Sequence, residues 1–127
     1  MMDEKELIKI ARQVQPNAYV PYSHFSVGAA LLTARQNVYT GVNVENSSYG
    51  LTVCAERNAV FKAISEGEKQ FEAIAVAGSA EGFTYPCGAC LQVLAEFNPD
   101  LKIIVCDRQN NIKVHSLREL LPQMFLL

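Results

Sequence analysis

From residue 3 to about residue 14, apolar side chains fall at Leu7, Ile8, Ile10, Ala11 and Val14, the spacing of a helix with one buried face and acidic residues in its first turn. Pro16-Asn17 ends it. The period then changes. After the connection Tyr19-Val20-Pro21-Tyr22-Ser23, residues 25–32 form a nearly continuous apolar run that reads as a strand, in which Gly28, Ala29 and Ala30 leave room for a helix to pack closely. A turn at Arg35-Gln36-Asn37 reverses the chain into a second strand at 38–44, so the two are expected to form a hairpin. Helical spacing returns over 54–64, preceded by Thr52 and closed by Gly67. Residues 71–77 read as a central strand, and a glycine-bearing loop follows over 78–85. Pro86 precedes a third helix at 87–97, which Asn98-Pro99 ends. A strand at 101–106, a turn at 107–111, a short strand at 112–114 and a short helix from Ser116 complete the pattern. Strands and helices alternate through the middle, so the class is α/β, a mixed sheet with helices on both faces.

Size and charge narrow the function. Half of the 127 residues are apolar and 19% are charged, enough for one domain, 1–127, with a sizeable core. No repeat, linker or low-complexity segment divides it. The net charge is −2 with no basic cluster, which argues against nucleic acid as a partner and favours a small-molecule substrate. The charged start, Met1-Met2-Asp3-Glu4-Lys5-Glu6, resembles neither a signal peptide nor a membrane anchor, and no apolar run reaches transmembrane length. Four cysteines without a secretory signal point to a reducing compartment, the cytoplasm, and to metal chemistry before disulfides.

That chemistry centres on Cys54-Ala55-Glu56 and Pro86-Cys87-Gly88-Ala89-Cys90. Catalytic zinc sites use three protein ligands and keep the fourth tetrahedral position open. Cys54, Cys87 and Cys90 supply three, while Cys106 lies in an apolar strand and reads as buried. A closed structural zinc site wants a fourth ligand, and a redox pair would need only the C-x-x-C. Glu56, two residues after Cys54 at a helix start, can reach the open position without ligating, which is the place for a proton carrier. The spacing matches the H-x-E…P-C-x-x-C pattern of zinc deaminases, with Cys54 in the first position.

Three thiolates leave a zinc site with a formal charge of −1, which weakens the metal as a Lewis acid. Two helix N-termini offset part of this, and Arg57 either donates hydrogen bonds to the sulfurs or is a solvated helix cation. Phe25 by composition is a core aromatic. Asn43, Glu45 and Asn46 cluster where a strand ends, and read equally as a solvated turn or as groups that converge on a ligand's hydroxyls.

Four stretches in order, 21–31, 41–50, 54–57 and 86–90, resemble the small homotetrameric cytidine deaminases along almost the whole chain. The resemblance implies a three-layer α/β/α fold with a five-stranded mixed sheet, one Zn2+ per subunit on Cys54, Cys87 and Cys90, Glu56 as proton shuttle, and Arg57 bonded to ligand sulfurs. It also implies that Asn43 and Glu45 bind the ribose 3′-hydroxyl, Phe25 packs against the nucleoside, the backbone at Ala55 contacts the base, and Phe125 reaches a neighbouring subunit's active site in a homotetramer. One position departs from the pattern. Leu91 stands where many members carry Arg, which bears on charge balance and leaves ligands and proton carrier untouched.

The expected reaction is hydrolytic deamination of cytidine and deoxycytidine to uridine and deoxyuridine. A deaminase of another aminopyrimidine nucleoside such as blasticidin S is the near rival. A polynucleotide-editing deaminase lacks a basic surface here, and a non-catalytic zinc-stabilised scaffold would not need Glu56.

Overall fold

The computed structural model describes residues 2–127, so Met1 of the charged start lies outside the described residues. Helix α1 (Glu4–Val14) begins where the Asp3 carboxylate accepts from the Glu6 N–H at 2.8 Å. That bond satisfies one of the backbone donors a helix start leaves orphaned. Strands β1 (Val27–Thr33) and β2 (Val38–Val42) form the expected antiparallel hairpin. Helix α2 (Ala55–Ser65) leads to β3 (Phe71–Gly78), helix α3 (Gly88–Phe97) crosses to β4 (Lys102–Cys106), and β5 (Ile112–Ser116) runs into α4 (Leu117–Leu120). The five strands make one sheet in the order β2-β1-β3-β4-β5. Only β3 and β4 are parallel, joined by the α3 crossover; the other neighbours are antiparallel.

Alternation along the central strands separates two cores. Val27, Ala29 and Leu31 of β1, Ile74 and Val76 of β3, and Ile103 and Val105 of β4 share a cluster with Ala59, Val60 and Ala63 of α2 and Leu91 and Leu94 of α3. The opposite positions, Ala30, Leu32, Ala73, Ala75, Ala77 and Ile104, meet Leu7, Ile8 and Ala11 of α1. The sheet is therefore covered on both faces, the three-layer α/β/α arrangement. Close approach explains two glycines. A Cβ at Gly28 would strike the Ala11 carbonyl of α1, and one at Gly41 would strike the Ala55 carbonyl and Ala59 nitrogen of α2.

Strand boundaries differ from expectation at two places next to the site. Phe25 and Ser26 precede β1, because His24 takes a left-handed backbone (φ 58°) that breaks extended pairing. β2 ends at Val42, and Val44 instead bridges to Tyr19 and Val53, drawing the Pro21 loop and the approach to α2 together.

Candidate metal centre and active site

Both helices of the site start at a cysteine. Cys54 caps α2 and Cys87 caps α3, each in extended backbone with no side-chain capping bond, so the first-turn N–H groups stay free near the sulfurs. The positive end of α2 favours thiolate at Cys54. Cys90 follows one turn into α3 and is fully buried.

The sulfurs of Cys54 and Cys87 lie 3.8 Å apart, those of Cys87 and Cys90 3.6 Å, and all three fall within 4.8 Å of one another. A tetrahedral zinc bonded to sulfur at about 2.3 Å spaces its sulfurs by roughly 3.8 Å. The donor set and its spacing therefore fit zinc. Cys106 is buried on the opposite face of the sheet, where Arg12 Nη2 donates to its sulfur at 3.5 Å, so it is no part of the cluster.

Arg57 is drawn to the sulfurs, as one of its two readings required. Its Nη2 donates to Cys54 Sγ at 3.4 Å, and its Nε is buried with no partner among the described residues. The bond to Cys54, and then that to Cys90, hold the guanidinium above its ordinary pKa. Without a metal, hydrogen bonding from Cys90, Arg57 and Cys87 pushes Cys54 down to about 5 against the cost of burial. Cys90 moves the other way, raised first by its bond to Cys54 and then by burial. The bonds from Arg57 and the neighbouring cysteines thus favour a thiolate at Cys54.

Glu56 is 4% exposed, an unusual burial for a carboxyl group. Burial pushes it up to about 7, and the nearby Cys54 adds to the rise. A carboxyl group with that affinity holds and releases a proton near neutral pH. Ala55, between Cys54 and Glu56, is fully buried.

The polar group after β2 divides. Asn43 is 9% exposed; its Oδ1 accepts from the Val27 N–H at 2.9 Å and its Nδ2 donates to the Phe25 carbonyl at 2.8 Å. Glu45 Oε1 accepts from the N–H groups of Tyr22 and Ser23 at 3.0 and 3.1 Å, and the Ser23 hydroxyl donates to Oε2. Asn46 stays apart in an Asx turn, accepting from the Ser48 N–H at 2.9 Å. Glu45 lines a concavity with Tyr22, Ser23, Tyr49 and Thr52, the last of these two residues before Cys54 in the chain. Phe25 is 36% exposed, so it is no core aromatic.

Phe125 is 68% exposed, held to the subunit by its carbonyl, which accepts from Gln92 Nε2 at 2.8 Å. Leu91 is buried in the apolar cluster, so position 91 brings no cation to the sulfurs. Sequence reasoning missed Asn58, whose Nδ2 donates to the carbonyls of Val42 at 2.8 Å and Val53 at 3.5 Å and so ties α2 to the end of β2. An amide in the second turn of a helix, where it has little intrinsic reason to sit, was the available signal.

The comparisons with known proteins agree with this geometry. A family model described as the cytidine and deoxycytidylate deaminase zinc-binding region matches residues 1–106. The chain is 51% identical over 125 residues to a cytidine deaminase of Halalkalibacterium halodurans, covering 98% of this chain and 95% of that one. A Sporosarcina psychrophila cytidine deaminase is 46% identical, with 98% and 92% covered. Among solved structures, cytidine deaminase from Burkholderia pseudomallei superposes with TM-score 0.94 at 46% identity over 98% of this chain and all of that one. The Mycobacterium tuberculosis cytidine deaminase gives 0.88 at 41% identity, with both chains fully covered.

Proposed function

The chain belongs to the cytidine and deoxycytidylate deaminase family, and from that premise we propose that it hydrolyses cytidine and deoxycytidine to uridine and deoxyuridine, releasing ammonia, in pyrimidine salvage. The observation that carries the reading is a buried carboxyl group, Glu56, beside three sulfurs at zinc spacing. Identity spread over nearly the whole length of cytidine deaminases supports cytidine as the substrate.

Cys54, Cys87 and Cys90 would hold the Zn2+ of each subunit. When bound, zinc acidifies a water and so supplies the nucleophile for the ring carbon that bears the amino group. Glu56 takes one proton of the attacking water at its carboxylate and passes it to the ring nitrogen, then takes the remaining proton of the added hydroxyl and delivers it to the amino nitrogen, so that a C–O bond forms and the C–N bond breaks with ammonia leaving. Its burial keeps bulk water from competing for that proton. Arg57 offsets thiolate charge through Cys54, a task that falls to it and the two helix ends because Leu91 contributes none.

Asn43 and Glu45 bind the 3′-hydroxyl of the sugar. Phe25 packs against the nucleoside and the backbone at Ala55 contacts the base. Phe125 extends into a neighbouring subunit's site in a homotetramer. Exposed apolar side chains, Tyr49, Leu51, Phe61 and Leu127 with Phe125, support assembly. The 1–127 chain acts as one deaminase domain. No helix among the described residues is long and apolar enough to cross a membrane, which is compatible with work in the cytoplasm.

The test is the ultraviolet change on mixing zinc-loaded protein with cytidine, with deoxycytidine and blasticidin S alongside. Turnover of both natural nucleosides is expected. Consumption of blasticidin S alone would reassign the sugar contacts, and metal content without turnover on any of the three would make the chain a scaffold.

A further inference from the structure

The loop 21–25, which lines the Glu45 concavity through Tyr22 and Ser23, is strained just before Phe25. His24 sits at φ 58°, a left-handed conformation that a side chain with a Cβ adopts at a cost, so the surroundings must impose it. Hydrogen bonds from the far side of the hairpin do so. Asn43 grips the carbonyl of Phe25 and the N–H of Val27, and Glu45 grips the N–H groups of Tyr22 and Ser23. Between these lies one hydroxyl. Ser23 Oγ donates its proton to Glu45 Oε2 and accepts from the Phe25 N–H at 3.0 Å.

The carboxylate has about four acceptor positions. Two on Oε1 are taken by backbone N–H groups and one on Oε2 by Ser23, which leaves a single acceptor position, on Oε2. Ser23 thereby sets the direction of that remaining position while fixing the backbone of the adjacent aromatic. The same bonds hold Glu45 below its ordinary pKa, the Ser23 hydroxyl most strongly, so the group stays an acceptor-only carboxylate at neutral pH.

We propose that Ser23 is a positioning residue for sugar recognition, its hydroxyl coupling the free acceptor of Glu45 to the placement of Phe25. The proposal rests on the reading that Glu45 takes a sugar hydroxyl. Without the Ser23 hydroxyl, Glu45 Oε2 turns freely and the Phe25 N–H loses its partner. The loss belongs to substrate binding, because neither group touches the sulfurs or Glu56.

The experiment is steady-state kinetics of the zinc-loaded wild type, Ser23→Ala, Ser23→Thr and Glu45→Gln on cytidine and on 3′-deoxycytidine, with zinc content and thermal midpoint measured for each. Ser23→Ala is expected to raise KM for cytidine about tenfold with kcat within about twofold, the signature of lost binding. Its KM for 3′-deoxycytidine rises much less, through Phe25 alone, and Ser23→Thr, which keeps the hydroxyl, brings KM for cytidine back toward wild type. An unchanged KM for cytidine in Ser23→Ala overturns the proposal. An equal rise on both nucleosides also overturns it, since that is general loosening of the loop. Glu45→Gln separates the two levels. If it discriminates between the nucleosides and Ser23→Ala does not, only the role of Ser23 falls; if Glu45→Gln treats them alike, the sugar reading of Glu45 falls and takes this proposal with it.

Discussion

In the proposed reaction turnover depends on Glu56, the carboxyl group that the fold buries and that stands outside the cysteine cluster. Glu56→Ala is expected to keep one zinc per chain by metal analysis while turnover falls by roughly two to four orders of magnitude. Turnover close to wild type would remove Glu56 as the proton carrier. Glu45 carries a different prediction, about pH. Its folded pKa lies below the ordinary 4.5, chiefly through the Ser23 hydroxyl, so its contribution to stability is complete above that value and is lost as pH falls through the folded value. Thermal midpoints measured from pH 6 to pH 3 should therefore drop more steeply for the wild type than for Glu45→Gln, and parallel curves would show that the bonds around Glu45 leave stability untouched. These residues were not equally legible. Three cysteines and a glutamate announce themselves by spacing, because metal geometry restricts both residue type and position. Ser23 did not, since a hydroxyl acting across 22 residues on a carboxylate leaves no local pattern.

At the scale of elements, the site depends on how closely α2 lies against β2. Gly41 permits the approach, and Asn58 fastens it by bonding to the end of the strand. A Cβ at Gly41 would push on the Ala55 carbonyl, the residue between Cys54 and Glu56, so the damage should reach the metal centre as well as the core. Gly41→Ala is expected to cost about 1–3 kcal/mol of stability in chemical denaturation, in the range of overpacking, and to weaken zinc retention against a chelator. Wild-type behaviour in both assays would mean that α2 can move away without disturbing its N-terminus. Element type was readable from the short continuous apolar runs of β1, β3 and β4 and the 3.6 period of α1. The ends beside the site were not. Phe25 continues an apolar run yet lies outside β1, and Val44 continues β2's alternation yet leaves it, because long-range bonds from Asn43 and Glu45 and the bridges of Val44 outweigh local preference there.

For the whole molecule, the surface makes a claim that no single residue makes. Tyr49 is 73% exposed and Phe125 68%, with Leu51, Phe61 and Leu127 also turned outward, more large apolar surface than a small domain comfortably leaves in water. The tail is not loose, since the Phe125 carbonyl is held by Gln92 on α3 while its ring points away from its own core. Residues 124–127 are apolar in the sequence itself, but that Tyr49 and Phe61 would also be turned outward depended on the fold. If the ring enters a neighbour's site, Phe125→Ala should raise KM for cytidine several-fold while sedimentation velocity still reports the wild-type assembly, because the contact is then with substrate more than with the partner's surface. If instead the ring only cements the interface, the variant dissociates on dilution and activity per chain falls with it. Unchanged kinetics in an intact assembly would place the tail outside catalysis, and a wild-type chain that sediments as a fully active monomer would end the shared-site reading altogether.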